Sequence, residues 1–192
     1  MAGAAQAEDP MPPSAPARAP KCVAAAAATG QDGDVIRIRT ACAGDVALLA
    51  GLNHIVHDLH TQHRPDLFVD SPEGDGVEAF FRARIADPSV TVLLADGAEG
   101  TALGYALARV KDRPGTALTH SELIVSLDQI AVVPEAARRG VGAALLEALR
   151  EVGRAAGCRR LVTDVWHFNA DAREFYRPAG FSPTTVHLDQ QL

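Results

Sequence analysis

The run Leu127-Asp-Gln-Ile-Ala-Val-Val-Pro-Glu-Ala-Ala-Arg-Arg-Gly-Val-Gly-Ala-Ala-Leu-Leu146 joins a β-like segment to a helix through a turn rich in arginine and glycine. The β-like pattern runs to Val133, and Pro134 breaks it. A long amphipathic helix then reads from Gly140 to Ala156, with Gly157 suited to cap it. The first turn of a helix has N–H groups without intrahelical partners and carries the positive end of the helix dipole. Glycines at 140 and 142 let that backbone approach an anion closely. Between residues 138 and 160 there are six Arg and two Glu, in a chain of net charge -6. The stretch Arg138, Arg139, Gly140, Val141, Gly142, Ala143 is therefore expected to wrap its amides around a polyphosphate. A glycine-rich helix start with merely solvated arginines is the structural alternative.

Two nucleotide signatures fit poorly. A dinucleotide fingerprint needs a third glycine where Leu145 stands, and its first glycine should follow the strand at once, whereas about six residues intervene here. A nucleotide P-loop needs Gly-Lys-Ser/Thr, which the turn lacks.

Outward from this turn the patterning is regular. Val35–Arg39 alternates as a short strand. Gly44–Asp45 starts a helix whose apolar positions recur to Leu59, and Arg64–Pro65 closes it. Val77 to Ile85 reads as a second helix, stopped by Asp87–Pro88. Val90–Ala95 and Ala102–Val110 read as strands joined by a hairpin-type turn, and Leu123–Val133 as another. After the long helix come a strand at Arg160–Trp166, a short helix at Asp171–Arg177 and a last strand at Thr184–Leu188.

Residues 1–34 differ from the rest. They hold 12 Ala and 5 Pro with no aromatic residue, too little apolar surface to offset the entropy of ordering, and are read as a disordered tail. A domain is expected over residues 35–192. The apolar run Val23–Ala28 is too short and too far from the N-terminus for an export signal. The acidic balance argues against a nucleic-acid binder. No apolar run approaches the roughly 18 residues that span a bilayer, so no membrane association is expected. Cys22, Cys42 and Cys158 are scattered and form no CxxC pair, which suggests a reducing, cytoplasmic setting and neither a zinc ribbon nor a disulfide framework.

A second motif, Asn169-Ala-Asp-Ala-Arg-Glu-Phe-Tyr-Arg-Pro-Ala-Gly-Phe181, comes next in order. The two segments, with a strand between them, resemble the GCN5-related N-acetyltransferase (GNAT) superfamily, over about residues 35–190. The resemblance implies an α/β fold with a mixed, mostly antiparallel, splayed sheet and helices on both faces. It implies acetyl-CoA as cosubstrate and a primary amine as acceptor, with direct attack and no acetyl-enzyme intermediate. By position, the glycine turn would hold the pyrophosphate, and freed backbone of Ile130, Ala131 and Val132 would pair with pantetheine and polarise the thioester carbonyl. Asn169 would hydrogen-bond the cofactor, with capping of its own helix as the alternative role. The family usually has Gln or Arg three residues before the first glycine. Here that residue is Ala137, which leaves open whether Arg138 or Arg139 meets the phosphate. Dimers are common in the family, so a homodimer is a further expectation.

The transfer needs a proton for the departing thiolate. A thiol pKa of about 8.5 makes a tyrosine of pKa about 10 a workable donor. Tyr176 matches the family's tyrosine, with packing beside Phe175 as its alternative role. Asp128 stands where many members have an acid and is the candidate base, with a simple salt bridge as the alternative.

His57, His60 and His63 recur every three residues on the first helix, but that spacing drifts about 60° around it and no further ligand is placed, so no metal site is expected. They line the acceptor pocket or a polar helix face. His167, next to Trp166, is expected to be packed rather than catalytic. Asp66, Asp70, Glu73, Asp75 and Glu78 cluster between the first two helices and either attract a cationic amine or are simply solvated. Two rival readings are an acyl-CoA-binding regulatory module and a dinucleotide-dependent enzyme.

Overall fold

Strand β3 (Val90–Asp96) is buried along its whole length, and its alternate side chains feed two separate cores. Val92 and Leu94 face one side and Leu93 and Ala95 the other. This is the period-2 geometry of a strand covered on both faces. In the computed structural model, which describes residues 26–29, 35–70, 72 and 75–190, six strands lie side by side in chain order. They are β1 (Ala26–Thr29), β2 (Val35–Thr40), β3, β4 (Ala102–Arg113), β5 (Glu122–Val132) and β6 (Arg160–Thr163). Every neighbouring pair is antiparallel except β5 and β6, which are parallel.

Helices α1 (Val46–His63) and α2 (Gly76–Ala86) cover one face, through Leu49, Leu52 and Phe81 against Val92, Leu94, Tyr105, Leu107 and Ala131. Helix α3 (Val141–Ala155) covers the other. Its buried residues Val141, Leu145, Leu146, Ala148, Leu149 and Val152 fall on one helical stripe. Burying Leu145, Leu146 and Leu149 is worth about 2 kcal/mol each. Gly157, at φ 73°, ends the helix. The Cys158 N–H donates to the Gly153 carbonyl at 2.8 Å and the Gly157 N–H to the Arg154 carbonyl at 3.1 Å, which is a Schellman closure. Helix α4 (Ala170–Tyr176) comes after the loop that leaves β6.

One irregularity sets the functional end of the sheet. Leu107 pairs with Gln129 and Ala108 with Leu127, so Asp128 is an extra residue bulged out of β5. From the bulge onward, the residues of β5 exchange faces. Before it, Val125 and Leu127 point to the α3 core; beyond it, Ile130 and Val132 do, and Ala131 points to the α1 core.

Three readings of the sequence are corrected. Ala26–Thr29, inside the stretch read as a disordered tail, pairs antiparallel with β2; the rest of residues 1–34 lies outside the described residues. β6 stops at Thr163 instead of Trp166, because Trp166 and Phe168 leave the sheet to pack on α1. Thr184–Leu188 forms no strand. It finds no strand partner among the described residues, Val186 and Leu188 are 81% and 86% exposed, and Asp189 is drawn to Arg64 at 3.1 Å.

The start of α1 is tied to the sheet by charge. Arg39 on β2 donates to Asp96 at 2.6 Å and to both oxygens of Asp45 at 2.8 and 2.9 Å. The Arg39 guanidinium, helped by the Cys42 amide, holds the Asp45 carboxyl down at about 2. A carboxyl depressed on folding stabilises above its ordinary value, and the contribution fades as pH falls from about 4 toward 2. Arg39 is itself about a third exposed, so screening trims the effect. Arg39→Met leaves two buried acids facing each other, and urea denaturation at pH 7 is expected to show a loss of about 2–3 kcal/mol. The gap from wild type should narrow below pH 4; a constant gap down to pH 2 would rule out this account.

Candidate active site

Strands β5 and β6 run together only from Ile124 to Leu127 and from Arg160 to Thr163. β5 continues to Val132 along β4, so its last five residues have a strand on one side only. The sheet therefore parts at Leu127 and Thr163. Among the described residues, no strand pairs with the backbone of Asp128 to Val132 on that side, and Ile130, Ala131 and Val132 lie in this stretch.

At one side of the fork is the turn into α3. Gly140 sits at φ 90°, a left-handed conformation natural to glycine, and Arg138 at φ 61°, where a side chain costs about 1 kcal/mol or more. The turn is closed by the Ala137 N–H to the Pro134 carbonyl at 3.1 Å and the Arg139 N–H to the Ala136 carbonyl at 3.4 Å. The Ala144 N–H donates to the Gly140 carbonyl at 2.9 Å, which places the amides of Val141, Gly142 and Ala143 ahead of the helical ladder. Arg138 is exposed. Arg139 is half-buried and lines a small cavity with Gly97, Ala98, Thr101 and Val141, toward the β3–β4 turn.

Gly142 has a reason the sequence did not reveal. A Cβ there would lie 2.9 Å from two ring atoms of Phe175 and 3.8 Å from Val132. Close packing of α3, α4 and the end of β5 thus favours a glycine at 142, since a larger residue would require the Phe175 ring to shift.

At the other side is Tyr176. It is only 7% exposed, and its ring packs on Phe175 and Phe181 with centroids 5.1 and 5.0 Å away. Burial pushes the phenol above its ordinary 10, partly offset by the polar side chain of neighbouring Thr163. Thr163 in turn donates to the Leu127 carbonyl at 3.1 Å. The phenol thus lies beside Thr163, at the point where the two strands separate. Thr163 was not a sequence candidate, because a threonine ending a strand carries no signal of its own.

The Asn169 side chain accepts from the Ala172 N–H at 3.0 Å, so it caps α4. Asp128, exposed on its bulge, receives Arg109 Nε at 2.7 Å on one oxygen and the Ser126 hydroxyl at 3.1 Å on the other. A second Arg109 nitrogen lies 2.6 Å from the first oxygen. Arg109, a cross-strand partner on β4, was also missed, since only the register reveals it.

The helix-α1 histidines join an aromatic cluster. His63 stacks on Phe168 at 4.4 Å and His60 on Phe68 at 4.9 Å, while Trp166 stacks on Phe168 at 5.9 Å. His57 contacts the Val69 carbonyl at 2.7 Å. Burial lowers the pKa of His60, with a smaller contribution from His57. The cluster ties the end of α1 to the β6–α4 loop. Among the described residues, no group of three His, Cys, Asp or Glu is placed to hold a metal. His167 is exposed, against the expectation of packing. Of the acids between α1 and α2, Asp66 is paired with Arg64 at 2.8 Å and Glu78 with Arg82 at 3.5 Å, while Asp70 and Asp75 are exposed and Glu73 lies outside the described residues. Among the described residues, no helix is long and apolar enough to cross a membrane.

A sheet that parts between two parallel strands beside a glycine-opened helix is the arrangement that the resemblance to the GNAT superfamily implies. A sequence profile of the Acetyltransferase (GNAT) family matches residues 54–181, and the chain belongs to that family. It is a GNAT-type N-acetyltransferase. Aminoglycoside N(6')-acetyltransferase type 1 of Klebsiella aerogenes is 32% identical over 106 residues, spanning 55% of this chain and 68% of that protein. The tetramutant of the BH1408 protein from Bacillus halodurans has the same fold, with a TM-score of 0.75 at 24% identity over 81% of this chain and 99% of its own. Aminoglycoside N-acetyltransferase AAC(6')-Iy in complex with CoA matches at 0.66 and 22%, over 83% and 96%.

Proposed function

We propose that this protein transfers the acetyl group of acetyl-CoA to a primary amine by direct attack, with Tyr176 as the general acid. The observation that carries the reading is the buried phenol beside Thr163, where β5 leaves β6 and the backbone edge of β5 beyond Leu127 has no strand along it among the described residues. In this reading the turn from Arg138 to Ala143 cradles the diphosphate, chiefly through the amides of Val141, Gly142 and Ala143, and exposed Arg138, rather than Arg139, adds charge there. Ile130, Ala131 and Val132 offer backbone groups to pantetheine and to the thioester carbonyl. Asn169 keeps its capping bond while its amide NH2 faces the cofactor arm.

The amine nitrogen attacks the carbonyl carbon, the carbon–sulfur bond breaks, and the thiolate takes the Tyr176 proton. The proton lost by the amine passes through water to Asp128. A carboxylate has about four lone-pair positions. Three are engaged by Arg109 and Ser126, which leaves one for that water.

The test is thiol release from acetyl-CoA with a panel of amines that includes an aminoglycoside, the substrate class named for the Klebsiella aerogenes relative. Acceptor-dependent thiol release is expected. Coenzyme A binding with no release from any amine would instead favour a regulatory module. Thermal stabilisation by NAD but not by coenzyme A would overturn the reading altogether.

A further inference from the structure

Tyr105 lies in the α1-side core with its ring fully buried, edge-on to Phe81 at 5.7 Å. Its hydroxyl is 2.9 Å from Gln129 Oε1 and 3.2 Å from Asn53 Oδ1. A phenol has a single proton, so it cannot donate to two carboxamide oxygens at once. The shorter contact, to Gln129, takes the proton. The oxygen and nitrogen of an amide occupy interchangeable positions, so Asn53 satisfies the phenol by turning its NH2 to the hydroxyl lone pair. Burial holds the Tyr105 proton in place well above the usual phenol range.

This arrangement leaves one donor, the NH2 of Gln129, and one acceptor, the carbonyl oxygen of Asn53. Both residues are half-buried. Among the described residues, the buried side-chain polar atoms without a partner are Thr40 Oγ1, Arg84 Nε and Asp96 Oδ1, so the spare groups of Asn53 and Gln129 are not sealed in the core. The two carboxamides that meet Tyr105 come from different elements, Asn53 from α1 and Gln129 from β5.

Their position is the second observation. Gln129 directly follows the bulged Asp128 and precedes Ile130, in the part of β5 that has no strand on its far side among the described residues. Without the bulge its side chain would point to α3 instead of α1.

We propose that Asn53 and Gln129 are positioning residues for the acceptor, with Tyr105 as the brace that orients them. Asn53 Oδ1 accepts an N–H of the attacking amine, and the Gln129 NH2 donates to an oxygen on the carbon next to the amine-bearing one. The acceptors favoured are amines with a neighbouring hydroxyl or carbonyl. This inference rests on the acetyl-transfer reading above.

The experiment measures kcat and KM by thiol release for two matched pairs, 2-aminoethanol against propylamine and octopamine against tyramine. Wild type is expected to favour the oxygenated member about 10-fold in kcat/KM, the worth of one hydrogen bond. Gln129→Met and Tyr105→Phe should bring that ratio to about 1, chiefly through KM, while coenzyme A affinity by calorimetry reports an intact fold. Equal kcat/KM within both pairs for wild type, or a ratio that survives Gln129→Met, would overturn the assignment of these residues and leave acetyl transfer standing. Absence of thiol release with all four amines and with the wider panel would overturn the acetyl-transfer reading and this inference with it.

Discussion

Tyr176→Phe should lower kcat about 100-fold while leaving coenzyme A affinity unchanged. The substitution removes one oxygen and keeps the ring, so packing on Phe175 and Phe181 persists. What is lost is the proton that the departing thiolate must take. The phenol is raised above its ordinary value of 10, chiefly by burial and despite the polar side chain of Thr163 beside it. It therefore stays protonated, and able to donate, throughout the neutral and mildly alkaline range. The wild-type rate should show no loss attributable to this group until pH passes 10, and the variant should lack that alkaline limb. A fall in kcat of less than threefold would remove Tyr176 from the role of acid.

Gly142→Asp should weaken coenzyme A binding by about 100-fold, equivalent to about 2.7 kcal/mol. Two effects act together, and they are separable. Any side chain at 142 meets the Phe175 ring at 2.9 Å, which pushes α4 from α3. An aspartate also brings negative charge to the helix start, against the dipole and the phosphates. Gly142→Ala carries only the first effect, and adding Phe175→Leu should relieve most of it. The same relief should fail for Asp, because the charge remains. Calorimetry showing unchanged affinity for Gly142→Asp would count against the Arg138–Ala143 cradle.

Much of the architecture was legible because its signals are local. The stripe of α3, the glycine after it and the proline before it are all readable one turn at a time. The exchange of faces at Asp128 was not. A bulge is a mismatch between two strands, visible only once Leu107 is paired with Gln129 and Ala108 with Leu127. Ala26–Thr29 was misjudged because an alanine run has weak strand propensity, and its order comes from pairing with β2. The reverse error befell Thr184–Leu188, whose alternation suits a strand but which has no strand beside it among the described residues.

The candidate site divides the same way. Gly140, Gly142, Asn169 and Tyr176 could be named from spacing, since a motif preserves spacing. Their partners could not. Phe175 against Gly142, Thr163 beside Tyr176 and Arg109 as the mate of Asp128 are contacts between distant segments. The histidines of α1 were assigned to a pocket wall or a polar face, and three-residue spacing gave no hint that Phe68, Trp166 and Phe168 would come to stack with them.

The pairing of Ala26–Thr29 with Val35–Thr40 bears on where the chain can be trimmed. A version begun at Val35 would strip β2 of its outer companion. It would display a bare ribbon of peptide groups, with Val35 already 61% exposed at its tip. Such a rim invites another polypeptide to dock along it. A segment with the composition of a dispensable leader thus takes up the peptide groups of β2 and shifts the rim of the sheet outward by one short strand.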